Sequence, residues 1–271
     1  MDKPEQILVK YWGFSSFRPL QEEIIQAVLK RNDSLALLPT GGGKSLTFQI
    51  PALMMEGICL VITPLIALMK DQVESLKNKG IKATAIFSGM YKDEIDIVLE
   101  NCIYGDYKFL YVSPERLETE MFKARVEKMK INLIAVDEAH CISQWGYDFR
   151  PSYLKIANIR TTHPGTPVLA LTATATSKVI DDIQEKLQFK KKNIFQASFE
   201  RKNLAYIVYE TEDKYKYLTR VARKNAGTGL VYVRSRKKTK EIASYLQQAG
   251  FKAAPYHAGM STELRNYQQD E

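Results

Sequence analysis

From about residue 34 to residue 187 the chain repeats one pattern: a short apolar run, then a segment with helical spacing. The runs are Leu35-Ala36-Leu37-Leu38, Ile58-Cys59-Leu60-Val61-Ile62, Thr84-Ala85-Ile86-Phe87, Phe109-Leu110-Tyr111-Val112, Leu133-Ile134-Ala135-Val136 and Val168-Leu169-Ala170-Leu171. In each run neighbouring positions are both apolar, so neither face of the strand meets water, as in a parallel sheet covered on both sides. The intervening segments 65–78, 92–102 and 176–187 have the spacing of amphipathic helices. Parallel strands need long crossovers, and strand–helix alternation supplies them. The pattern therefore predicts a doubly wound α/β domain.

The turn after the first run is Leu38-Pro39-Thr40-Gly41-Gly42-Gly43-Lys44-Ser45. Three glycines between a strand and a helix let backbone N–H groups turn toward phosphate oxygens, and the helix N-terminus adds positive potential. In such a P-loop Lys44 reaches the terminal phosphates and Ser45 ligates Mg²⁺. The first glycine position of the strict pattern is Leu38.

The fifth run is followed at once by paired carboxylates, Asp137 and Glu138. The loop beyond them carries Gln144, Trp145, Tyr147, Phe149 and Arg150. A carboxylate at a strand end can hold Mg²⁺ through water, and its neighbour can polarise an attacking water. Loop aromatics can take a stacked base or respond to a moving partner. Upstream of the first run, Phe14, Arg18 and Gln21 surround the start of a helix. Gln21 has an amide able to pair with adenine, although on the residues alone core packing for the aromatics and a first-turn role for Gln21 account for them better.

Three cysteines, Cys59, Cys102 and Cys141, are widely spaced and form no CxxC pair, which offers neither zinc site nor disulfide framework. They suit a reducing, cytoplasmic compartment. The first residues are polar, and the most apolar stretch, 57–69, is short and holds Pro64. The formal net charge of +8 is uneven: residues 201–271 carry 14 Lys/Arg against 7 Asp/Glu, whereas residues 1–200 are nearly balanced. A basic second part suits a phosphate-bearing partner, or is a solvated lysine face. After the basic Lys190-Lys191-Lys192-Asn193, segments 194–197, 204–209, 229–233 and 252–256 read as strands and 214–224 and 236–249 as helices. The expected organisation is residues 1–200 as one lobe and residues 201–271 as an incomplete second α/β lobe.

Together these segments resemble the RecQ family of DNA helicases, within helicase superfamily two. The resemblance runs from Gly13 to about Gly259. It rests on Phe17-Arg18-Pro19-Leu20-Gln21, the P-loop, Thr63-Pro64-Leu65, Ser113-Pro114-Glu115-Arg116-Leu117 and the stretch 137–151. It continues in Leu171-Thr172-Ala173-Thr174-Ala175, Val231-Tyr232-Val233-Arg234-Ser235-Arg236 and Tyr256-His257-Ala258-Gly259-Met260. The aromatic loop directly after Asp137-Glu138-Ala139-His140 is its most specific part. The resemblance implies two RecA-like lobes clamping ATP–Mg²⁺, with translocation 3′ to 5′ on single-stranded DNA and unwinding of forked duplex in recombination and repair. It assigns Phe14, Arg18 and Gln21 to adenine and Thr40 to Ser45 to phosphate. His140, Gln144, Trp145, Phe149 and Arg150 become the coupling between DNA and Glu138. Thr172 and Thr174 would link nucleotide state to lobe closure, and Thr63, Arg116, Arg234, Ser235 and His257 would touch DNA. It implies a monomer, with no membrane and no zinc in this chain.

The family pattern continues past the Tyr-His-Ala-Gly segment to an arginine-rich motif with an arginine finger, which is worth about 10³–10⁵ in turnover. Without it the expectation is weak ATP binding, slow hydrolysis and no unwinding. Two other readings share the motifs: an RNA helicase with the same Asp-Glu-Ala-His box, and a non-catalytic DNA-binding module that retains a nucleotide pocket.

Overall fold

The computed structural model describes residues 3–198, 200 and 204–270. The chain divides into two compact units, residues 1–200 and 201–271.

In the first unit two helices, α1 (Pro4–Trp12) and α2 (Gln21–Leu29), precede β1 (Ser34–Leu37). Then follow α3 (Lys44–Met54), β2 (Ile58–Ile62), α4 (Ile66–Lys77), β3 (Ala83–Ile86), α5 (Lys92–Tyr104) and β4 (Phe109–Val112). After α6 (Glu120–Val126) come β5 (Ile131–Val136), the short α7 (Ile159–Thr162), β6 (Val168–Thr172), α8 (Ser177–Lys186) and β7 (Ile194–Gln196). The strands form one sheet in the order β3-β4-β2-β5-β6-β1-β7, and every pair is parallel. All six apolar runs are strands, within a residue or two of their expected ends.

Alternation within each strand sends side chains to two separate cores. Leu35, Leu37, Leu60 and Ile62 join Leu99 of α5, Phe122 of α6 and Ile183 of α8 on one face. Ala36, Cys59 and Val61 join Ile24 of α2, Phe48 of α3 and Met69 of α4 on the other. This two-sided burial is why the runs are apolar throughout.

One buried charge pair fixes the near end of the sheet. Asp33, just before β1, and Arg160, in α7, are 3% and 8% exposed at their side chains and meet in a two-pronged contact at 3.1 and 3.0 Å. The same carboxylate accepts the N–H groups of Val168, at the start of β6, and Lys190, both at 2.9 Å. A buried carboxylate with four donors is well compensated, and one that loses its guanidinium is not.

The second unit differs from expectation. Its helices are α9 (Lys214–Lys224), α10 (Arg236–Gln248) and α11 (Thr262–Asp270). Asp213 and Ser235 cap α9 and α10, accepting the N–H groups of Lys216 at 2.9 Å and Lys238 at 3.2 Å. The rings of Tyr215 and Tyr245 meet edge to face at 4.9 Å. Segments 204–209, 229–233 and 252–256 form no ladder among the described residues. Tyr206, Val208, Leu230 and Tyr232 are exposed. Their alternating pattern is that of strands, but a strand is stabilised only by neighbours, and none pairs with them. Segment 194–197, read with the second part, supplies β7, which pairs with β1 and so belongs to the first sheet.

Replacing Asp33 with Ala is expected to lower the unfolding free energy by about 3–5 kcal/mol. Urea denaturation followed by circular dichroism measures it, and a loss under about 1 kcal/mol would mean that the pair behaves as a surface contact.

Candidate active site

The functional side chains gather at the C-terminal ends of the strands, where open parallel sheets bind ligands. Beyond β1 the chain turns through Pro39 to Gly43, and α3 begins at Lys44. Gly43 has φ 75°, and a β-carbon there would lie 2.2 Å from Gln21 Nε2. The left-handed backbone favours glycine there, and a side chain would push the Gln21 amide aside. The Gln21 side chain is buried against this turn. Its amide nitrogen donates to the carbonyls of Gly43 at 3.1 Å and Gly42 at 3.3 Å, and its amide oxygen accepts the Arg18 N–H at 2.9 Å. The Arg18 guanidinium donates to the Gly41 carbonyl. Two side chains from upstream of β1 therefore brace the glycine turn from behind.

A cavity of about 660 Å³ opens above the turn. Phe14, Arg18, Gln21, Thr40, Gly41, Gly43, Lys44, Ser45, Asp137 and Glu138 line it, with Leu68 and Gln72 of α4 on the far wall. Every adenine-, phosphate- and metal-site residue expected from sequence meets here, apart from Gly42, which lies in the turn behind. Phe14 is half exposed at its rim.

Asp137 is the residue after β5 and is 8% exposed. Its Oδ1 accepts the Glu138 N–H at 3.0 Å, and the Thr63 hydroxyl stands 3.5 Å from Oδ2. Burial, then the neighbouring Glu138 charge, pushes its carboxyl above the usual aspartate range, against the pull of Lys44. Glu138 has left-handed backbone, φ 47°, which turns its side chain away from the strand direction. Its Oε2 lies 3.3 Å from His140 Nδ1. That hydrogen bond, helped by Lys44, holds Glu138 below the usual glutamate range in spite of partial burial. Adjacent carboxylates are thus driven in opposite directions by their surroundings. The site fits a nucleoside triphosphate with Mg²⁺. It offers a glycine turn at the start of α3, a lysine, a hydroxyl at Ser45, and a buried carboxylate whose repulsion from its neighbour a divalent cation would relieve.

A second cavity, about 440 Å³, lies beside the aromatic loop and is lined by His140, Trp145, Gly146, Tyr147, Thr174, Ala175, Thr176 and Val179. His140 connects the two cavities. Its Nδ1 faces Glu138 and also lies 2.9 Å from the Thr172 hydroxyl. Its ring stacks on Tyr147, with centroids 4.4 Å apart. A β-carbon on Gly146 would sit 2.6 Å from the His140 carbonyl, so only glycine lets the loop pass this closely. Trp145 is 67% exposed, with the Lys178 ammonium 4.7 Å from its ring centre. Tyr147 stands in the loop in sequence, but nothing in its local pattern marks it as the residue that packs on His140.

The other residues expected at DNA contacts or in coupling have the following surroundings. Thr63 is 2% exposed and turned toward Asp137, so it presents no hydroxyl to a surface phosphate. At the end of a doubly covered strand its side chain has only the site to face. The half-buried Arg116 donates to the Phe87 carbonyl at 3.0 Å. Arg150 pairs with Asp148 at 2.9 Å, while its N–H donates to the Cys141 carbonyl at 2.8 Å. It closes the aromatic loop and makes no contact with Glu138. Phe149 is half-buried and Gln144 is exposed. Thr172 and Thr174 bond to each other through the Thr172 hydroxyl, and Thr176 is the residue at the start of α8. In the second unit Arg234 is exposed, the Ser235 hydroxyl caps α10, and both ring nitrogens of the half-buried His257 lack a hydrogen-bond partner among the described residues.

Asp137 gives a pH-dependent prediction. With a folded pKa above the ordinary 3.8, the fold favours the protonated form. The associated stability is present below the ordinary value and is lost as pH rises through the raised one. Asp137→Asn is therefore expected to melt higher than the parent at pH 7 in EDTA, with the difference shrinking below about pH 4. Its Mg²⁺-dependent nucleotide binding should fall. Differential scanning fluorimetry across pH reads the first effect, and an equal or lower melting point at pH 7 would contradict it.

Comparisons with known proteins agree with this geometry. The family model for DEAD/DEAH box helicases matches residues 18–183. The ATP-dependent DNA helicase RecQ of Haemophilus influenzae is 42% identical over 274 residues, covering 100% of this chain and 44% of its own length. The Bacillus subtilis protein of the same name is 41% identical, covering 100% of this chain and 46% of its own. The mouse ATP-dependent DNA helicase Q1 is 39% identical, covering 96% and 42%. The chain thus spans less than half the length of these curated relatives. Among solved structures, the DUF1998 helicase MrfA bound to DNA and AMPPNP superposes with a TM-score of 0.74 at 16% identity, covering 100% of this chain and 42% of that one. That likeness is one of fold. Taken together, the sheet, the glycine turn, the strand-end carboxylates and the match over residues 18–183 show that the chain belongs to the DEAD/DEAH box helicase family.

Proposed function

We propose that this chain is the ATP-hydrolysing motor part of a RecQ-type DNA helicase, turning over ATP in response to single-stranded DNA. The observation that carries the reading is His140, which stands between the nucleotide cavity and the aromatic-loop cavity and touches a working residue of each, Glu138 and Tyr147. Phe14 and Arg18, both lining the cavity, would take the base, Phe14 by stacking. Lys44 and the glycine turn hold the phosphates, Ser45 and Asp137 the Mg²⁺, and Glu138 orients the attacking water. The bound cation would neutralise phosphate charge as the terminal phosphoryl group leaves. Trp145 offers an exposed aromatic face on which a base can stack, a contact worth about 1–3 kcal/mol. The basic residues of the second unit, Arg234 among them, are the proposed phosphate track, and His257 stands beside that segment. In the whole protein we infer 3′ to 5′ translocation, strand separation at forks and roles in recombination and repair, in an intracellular monomer.

Hydrolysis by the isolated chain is proposed to be slow. Among the described residues lining the nucleotide cavity the guanidinium is that of Arg18, and it is engaged with the Gly41 carbonyl. Charge developing on the leaving phosphates is then met chiefly by Lys44 and the cation.

The test is ATP turnover with single-stranded DNA, with single-stranded RNA and with neither. DNA should raise the rate and RNA should not; selective stimulation by RNA would replace the DNA reading with that of an RNA helicase. Glu138→Gln should keep nucleotide binding and lose roughly 10²-fold or more in turnover. Trp145→Ala should keep both nucleotide binding and the DNA-free rate while losing DNA stimulation, and normal stimulation in that variant would remove the loop from the coupling. Binding of single strands should weaken steeply with salt, with log K falling linearly in log salt concentration.

A further inference from the structure

Tyr153 has no part in the reading above, yet it touches the catalytic peptide. It lies in the 3₁₀ helix Pro151–Asn158 that leaves the aromatic loop. Its side chain is fully buried among the apolar residues under the sheet. Its hydroxyl donates to the main-chain carbonyl of Asp137 at 2.9 Å. That carbonyl belongs to the peptide joining Asp137 to Glu138, and Glu138, two residues past the end of β5, has left-handed backbone. A non-glycine residue in that region is strained by about 1–3 kcal/mol and persists only where its surroundings hold it.

The holding contacts can be named. The Glu138 N–H is bound by Asp137 Oδ1 at 3.0 Å, and the Glu138 carbonyl accepts the Cys141 N–H at 2.9 Å. The preceding carbonyl is held by Tyr153. Tyr153 is itself anchored through its N–H on the carbonyl of Arg150 at 3.0 Å, the same residue whose N–H closes the loop on Cys141. The orientation of the Asp137–Glu138 peptide is thus referenced to the exit stem of the aromatic loop. Burial raises the Tyr153 hydroxyl far above the usual tyrosine range, so it remains a neutral donor.

We propose that Tyr153 is a positioning residue for ATP hydrolysis: by holding the Asp137 carbonyl it fixes the turn that aims the Glu138 carboxylate. This rests on the ATPase reading of the site. The isosteric Tyr153→Phe variant keeps the ring in its packing and removes only the donor. Two measurements on the full chain decide the matter. In hydrogen–deuterium exchange, peptides covering 137–142 should exchange faster than in the parent, with other core peptides unchanged. In steady-state kinetics, kcat should fall roughly ten-fold with KM for ATP within about two-fold, as expected for lost alignment at the reacting group. Unchanged exchange in 137–142 overturns the proposal, as does unchanged kcat with faster exchange. A general drop in melting temperature with kcat and KM moving together assigns Tyr153 a purely structural role and overturns it too. If the parent shows no turnover that Glu138→Gln abolishes, the ATPase reading fails, and the exchange arm alone judges whether Tyr153 holds the turn. If the Phe variant does not fold, a tyrosine fluorinated beside its hydroxyl at position 153 takes its place. Altered exchange of 137–142 then supports the proposal, and unaltered exchange overturns it.

Discussion

The Asp33 carboxylate, buried at the end of the sheet away from the ligand, organises much of what happens at the other end. It binds Arg160 and the N–H groups of Val168 and Lys190, which ties the entries of β1 and β6 together and sets the chain on its way to β7. With those entries clamped, the pairing of Ser34 with Leu169 follows, and so does that of Leu37 with Thr172 three residues on. The strand is only about 13 Å long at the usual rise per residue. The glycine turn therefore leaves β1 beside Thr172, and Thr172 faces His140. A charge pair with no chemistry of its own fixes the spacing between nucleotide cavity and aromatic loop.

Most of the first unit is legible in the sequence because its strands are covered on both faces. Leu60 and Val61 both had to be apolar, since one faces α5 and α6 and the other faces α2 and α3. The glycine turn and the carboxylates are legible because their spacing against the strands is dictated by phosphate and metal chemistry. Other parts depend on partners far away in sequence. Val208 and Tyr232 lie in segments with a strand period, and no local pattern tells whether a neighbour pairs with them. Tyr153 reads as one more core aromatic, because the carbonyl that it binds is 16 residues away. The hydroxyl of Thr63 is placed at a strand end by sequence, but that it turns toward Asp137 is a matter of tertiary packing.

The opposite shifts of Asp137 and Glu138 follow from one turn of backbone. Its place directly after β5 leaves Asp137 at the sheet's end, where burial disfavours its charge. Left-handed geometry at the next residue swings Glu138 toward His140, which favours its charge. The residue types are the same class, and the environment makes one a natural seat for a cation and the other a persistent anion beside it. A protein free of functional demands would gain stability by neutralising the first, which is the usual cost of a preorganised site.

Gln21 shows how such preorganisation limits discrimination. Both ends of its amide are already matched by backbone groups, two carbonyls of the glycine turn and the Arg18 N–H. Any base that recruits this amide enters by exchange, surrendering one set of hydrogen bonds to form another. Its preference over a competing base is then a difference between two nearly equal quantities, far smaller than a count of new contacts suggests. The same exchange loosens the brace behind the phosphates at the moment the base is read. In the proposed ATPase, base identity would thus reach the phosphate turn as a change in stiffness, carried by a side chain that is not itself required to touch a phosphate.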